Sequence, residues 1–171
     1  FNLTLITPDN QQVLSNTNIK DQKSSDGKLT TIFEPSPVMS SYLLAWVVGE
    51  IQSVEAKSKN GTLVRSWSSV AHNKSALQYA NDEAVKILDF FEDYFGVPFP
   101  LTKIDQVALP DFESGAMENW GLITYREVAL LDDPNNPSVS TRKYISMVIA
   151  HEMSHQWFGN LVTMKWWDDL W

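Results

Sequence analysis

Apolar residues recur three or four apart along residues 75–95, at Leu77, Ala80, Ala84, Leu88, Phe91 and Phe95. That spacing predicts an amphipathic helix with one buried face. Gly96 ends it, with Pro98 and Pro100 just beyond. A second helix is predicted from about Thr141 through Ile145, Val148 and Ile149, stopping at Gly159 and Asn160. Shorter β-rich runs cover residues 1–7, 29–33, 62–70, 104–109 and 121–125. Residues 42–51 are nearly all apolar and are expected to form one strand buried on both faces. Residues 132–140, rich in Asp, Asn and Pro, read as a loop.

The polar turn Lys57-Ser58-Lys59-Asn60-Gly61 is the candidate domain boundary. It would separate a β-rich piece, 1–61, from an α+β piece, 62–171. The strands before it are too few to close a sandwich, so this piece is expected to be incomplete.

With 43% hydrophobic residues and seven Trp, the chain can build a packed core. A net charge of −8 argues against nucleic acid as a partner, because phosphate contacts need clustered Lys and Arg. There is no Cys, which rules out disulfides and thiolate metal sites within the chain and leans towards a cytoplasmic location. The alternative is the extracellular part of a membrane-anchored parent, for which sequons at Asn2, Asn60 and Asn73 offer slight support. No apolar run approaches the roughly 20 residues that span a bilayer, so no membrane segment is expected.

The chemistry concentrates in His151-Glu152-Met153-Ser154-His155. Residues four apart on a helix share a face, so both imidazoles can reach one Zn²⁺. Glu152 then flanks the metal without ligating it, where it can act as general base towards water. The third histidine, His72, falls near a strand end and reads as a surface residue. Positions 158 and 161 hold Phe and Leu where a metzincin needs Gly and His, which excludes that group. Asp168 and Asp169 could ligate, but structural hydrogen bonds beside the site are the stronger expectation.

A second constellation is Gly115-Ala116-Met117-Glu118-Asn119-Trp120-Gly121. Taken alone it reads first as an ordinary turn with an exposed Glu. The alternative is an edge segment: Gly115 would admit an extended peptide, and Glu118 would bind its α-ammonium group.

Together with residues 156–163 and 166–171, these two motifs resemble the M1 family of zinc aminopeptidases, the aminopeptidase N group, with its lactic-acid-bacterial members closest in look. The resemblance is strong over residues 60–171. It implies the end of a β-rich N-terminal domain followed by the first part of a thermolysin-like catalytic domain, a small mixed sheet plus the active-site helix. It further implies that His151 and His155 ligate zinc and that Glu152 is the base. Glu118 would hold the free N-terminus, with Gly115, Ala116 and Met117 along the substrate backbone. Ser114 would border the first side-chain pocket, and Asn119 would brace the loop. The family's third ligand, a Glu nineteen residues past the second His, would lie three positions beyond Trp171, and the Tyr that stabilises the oxyanion further still.

The function expected is zinc-dependent release of N-terminal amino acids from peptides with a free amine. The isolated chain, without the third ligand, is expected to bind zinc weakly and turn over negligibly. Two rivals remain: a thermolysin-type endopeptidase, which shares the helix but not the amine-binding carboxylate, and a non-catalytic peptide binder.

Overall fold

The computed structural model describes residues 1–170. Ten strands, β1(Thr4–Pro8), β2(Gln12–Ser15), β3(Ile19–Ser25), β4(Lys28–Phe33), β5(Trp46–Gly49), β6(Ile51–Lys57), β7(Leu63–Ser69), β8(Lys103–Leu109), β9(Ala116–Met117) and β10(Leu122–Arg126), combine with helices α1(Gln78–Phe95) and α2(Val139–His155). The architecture is α+β. A three-stranded sheet (β1-β4-β3) and a two-stranded one (β2-β5) precede a five-stranded mixed sheet, β6-β7-β8-β10-β9.

The mixed sheet is the platform of the molecule. β7, β8 and β10 run parallel, and α1 makes the crossover between β7 and β8 that a parallel pair requires. The predicted periodicity places Ala80, Ala84 and Leu88 of α1 in the core, against Ile145 and Ile149 of α2 and Ile104 and Ile123 of the sheet. Each leucine or isoleucine among them contributes roughly 1.5–3 kcal/mol on full burial. Gly96 ends α1 in the left-handed conformation, φ 65°, its N–H returning to the Glu92 carbonyl. Helix α2 opens on Ser138, whose hydroxyl accepts from the Thr141 N–H.

Residues 42–51 do not form the single buried strand expected of them. They break into a 3₁₀ turn (Ser41–Leu43), β5, and the start of β6, and Trp46 is 53% exposed. The reason is topological: β5 pairs with β2, whereas β6 pairs with β7, so the apolar run serves two sheets. The Lys57–Gly61 turn, the candidate boundary, closes the β6–β7 hairpin and so lies between two strands of one sheet. Strand β3, IKDQKSS, is exposed at every position and has no apolar face for a periodicity to mark.

Candidate active site

Helix α2 delivers His151 and His155 side by side at its C-terminal end, with their Nε2 atoms 3.2 Å apart. The His155 Nδ1–H donates to the Phe158 carbonyl at 2.9 Å, which in the neutral ring puts the lone pair on Nε2, the atom that faces His151. Two ligands bound tetrahedrally to one ion at 2.0–2.1 Å stand roughly 3.3 Å apart, so the imidazole pair fits a shared zinc. Among the described residues no group of three or more His, Cys, Asp and Glu is arranged to hold a metal. Asp168 and Asp169 sit exposed on a 3₁₀ turn (Trp167–Asp169) and do not join the histidines. Trp171 lies outside the described residues.

Glu152 is buried, and one of its oxygens, Oε2, has no hydrogen-bond partner among the described residues. Burial, and behind it the charge of Glu118, push its carboxyl up to about 7. The buried Tyr125 phenol is raised in turn, by its own burial and then by Glu152. A carboxylate so placed is suited to exchange a proton with a neighbouring water.

The other half of the site is built on β9, the two-residue edge of the mixed sheet, which pairs with β10 through Ala116–Tyr125 and Met117–Thr124. Among the described residues it pairs on that side alone, and an edge strand of this kind can take an added strand. Gly115 and Ser114 are exposed at the start of this edge. The Arg126 N–H donates to the Gly115 carbonyl, and its guanidinium donates to the Phe112 and Glu113 carbonyls, which fastens the approach. A Cβ on Gly115 would meet nothing nearer than the Tyr144 hydroxyl at 3.8 Å, so the fold itself does not demand glycine there.

Past β9 the loop is held by side chains. Asn119 is buried, donating to the Leu43 carbonyl at 3.3 Å and accepting from Thr124 Oγ1 at 3.1 Å. Asn16 donates to both the Leu43 and Trp120 carbonyls. Gly121 has φ 74°, and a Cβ there would lie 2.4 Å from the Asn16 carbonyl oxygen, so only glycine fits. The buried Lys103 ammonium donates to the carbonyls of Ser15 and Gly121 and pairs with Asp105 at 2.8 Å. Asp105 also takes Arg65 and the Trp67 indole N–H.

The two halves meet in a small pocket of about 70 Å³ lined by Tyr42, Glu118, His155, Gly159, Thr163, Met164 and Leu170. His72, by contrast, lies away from this pocket and binds Glu127 at 2.6 Å. Reasoning from sequence did not single out Asn16, Tyr42 or Lys103. Nothing in their local spacing marks them; Asn16 reaches a carbonyl 104 positions further along the chain.

The sequence profile described as "Peptidase family M1 domain" matches residues 79–171. The chain belongs to peptidase family M1. It is 53% identical to an aminopeptidase N of Lactococcus lactis subsp. cremoris across 82% of its own length and 16% of that protein. It is 49% identical to aminopeptidase N of Rattus norvegicus and 47% identical to the puromycin-sensitive aminopeptidase of Caenorhabditis elegans, in both cases across 100% of this chain and 18% of the relative. The chain therefore spans less than a fifth of the length of the curated relatives it matches. No helix among the described residues is long and apolar enough to cross a membrane.

Proposed function

We propose that this chain carries the amine-docking and proton-transfer elements of a zinc aminopeptidase that releases N-terminal residues from peptides. The observation that supports this reading most directly is that Glu118 and His155 line one pocket, so a residue able to hold an ammonium group shares a cavity with a candidate metal ligand. A substrate would extend along β9 past Ser114, Gly115, Ala116 and Met117, its α-ammonium group against Glu118. His151 and His155 would hold the zinc together with a further ligand; when bound, the metal supplies Lewis acidity to the first peptide carbonyl. Glu152 takes a proton from the attacking water and returns it to the amine that leaves as the C–N bond breaks. Asn119 fixes the loop through the Leu43 carbonyl.

Docking the amine at a set depth also selects the substrate, because an acetylated N-terminus would leave Glu118 without a partner in its pocket. The test uses the full-length protein and compares a leucine anilide with its N-acetylated twin, with and without a chelator. The expected result is cleavage of the free amine only, abolished by chelator and restored by Zn²⁺. Glu118→Ala should lose about 100-fold or more in kcat/KM. Equal cleavage of both substrates would replace this reading with a thermolysin-type endopeptidase. Absence of cleavage despite bound zinc would leave a peptide-binding scaffold.

A further inference from the structure

Glu118 stands one residue beyond a strand only two residues long, so the sheet alone does not fix its position. Its carbonyl oxygen is instead gripped by two side-chain amides from the turn that follows α2. Asn160 Nδ2 donates to it at 2.9 Å and Gln156 Nε2 at 3.3 Å. Both residues are buried, Gln156 completely. We infer that Gln156 and Asn160 are positioning residues that set the distance between Glu118 and the imidazole pair. This inference rests on the reading of Glu118 as the holder of the substrate amine.

The connectivity goes beyond ordinary satisfaction of buried polar groups. Gln156 Nε2 also donates to the carbonyl of Glu152 at 3.2 Å, so one amide joins the backbones of both glutamates. Its Oε1 accepts from the Gly121 N–H at 3.1 Å and closes the loop from its other end. The polarity of the side chain is thereby fixed, since its nitrogen must face two carbonyls and its oxygen an N–H. Asn160 completes a second link, because its own N–H donates to the His155 carbonyl at 3.1 Å. The same turn supplies the Phe158 carbonyl that orients the His155 ring. Trp157 anchors the turn, packing on Phe91, Phe95 and Phe99 and donating to the Val97 carbonyl. Residues 156–160 thus form a bracket with the imidazole on one arm and the amine-binding carboxylate on the other.

A bracket of this kind makes a prediction that simple core packing does not. Removing it should matter only while Glu118 is present to be positioned. The experiment is a double-mutant cycle in the full-length, zinc-loaded protein, combining Asn160→Leu or Gln156→Met with Glu118→Ala. Free-amine anilide kinetics, zinc content and thermal midpoint are read for every variant. The single bracket variants should lose about 10–100-fold in kcat/KM while keeping wild-type zinc stoichiometry. In the Glu118→Ala background the same changes should cost about twofold or less. If Asn160→Leu yields no folded protein, the shorter Asn160→Ser supplies the same cycle. A full loss repeated in the Glu118→Ala background would mean that the amides merely hold the fold, as would bracket variants with wild-type kinetics. The bracket inference then fails while the reading of Glu118 stands. Wild-type kinetics in Glu118→Ala itself would overturn that reading and the bracket with it.

Discussion

The two halves of the candidate site are built in opposite ways. His151, Glu152 and His155 occupy one turn of α2, and their mutual placement needs little beyond the helix and the carbonyl that orients His155. Glu118 lies in a loop whose course depends on Asn16, Lys103, Asn119, Gln156 and Asn160, drawn from distant parts of the chain. The helical half is specified locally and tolerates change elsewhere. The loop half depends on the whole fold, so it can be damaged by substitutions that never approach substrate.

The sharpest way to break this contrast is to alter the helix chemically and ask whether the fold notices. Glu152→Gln should reduce turnover of a free-amine anilide by about 10²–10⁴-fold, the usual contribution of a general base. Zinc content and thermal midpoint should stay near wild type, because the side chain keeps its shape. A large fall in the midpoint would mean that the helical half also depends on the carboxylate for its structure, and the contrast would dissolve.

The opposite experiment alters the support of the loop far from the chemistry. Lys103→Met takes the ammonium donor from the Ser15 carbonyl, leaves the Gly121 carbonyl with the Asp105 N–H alone, and removes one cation from Asp105. Breaking a buried ion pair in this way should cost about 3–5 kcal/mol, measured by chemical unfolding. Gly121→Ala is the next largest. The new methyl would overlap the Asn16 carbonyl and sit at a φ that costs L-residues energy. Together these should destabilise by about 2–4 kcal/mol. Near-wild-type stability in either variant would show that the loop is held from one side only, by the bracket at residues 156–160.

The same division explains what could be read in advance. Helix α1 and the His-Glu motif were legible because a helix converts spacing directly into facing. The β9 edge was legible as a possibility, since a Gly-bounded segment before a strand suits either a turn or an edge. Its supports were not legible, because a buried Asn or Lys acquires its role from partners brought close only by the completed fold. The run over residues 42–51 misled because hydrophobicity reports burial and not which sheet provides it. β3 escaped notice because a strand solvated on every face carries no alternation.

The smallest effect concerns what kind of force holds the loop. Burial alone would raise the Asp105 carboxyl, but Lys103 and Arg65 outweigh it and hold the group below the usual carboxylate range. A carboxyl depressed in the folded chain contributes stability above its unfolded pKa, near 3.9, and that stability is lost as pH falls through the folded value. Asp105→Asn removes this titration. Below about pH 4 the wild type should therefore lose stability more steeply than the variant, by up to about 1.4 kcal/mol per pH unit. Unfolding midpoints measured across the acid range would read the difference directly. Parallel acid limbs would mean that the charge of Asp105 adds nothing and that Lys103 holds the loop through its two carbonyls alone. The loop half would then be fastened by hydrogen bonds at both ends, at Lys103 as at Asn160.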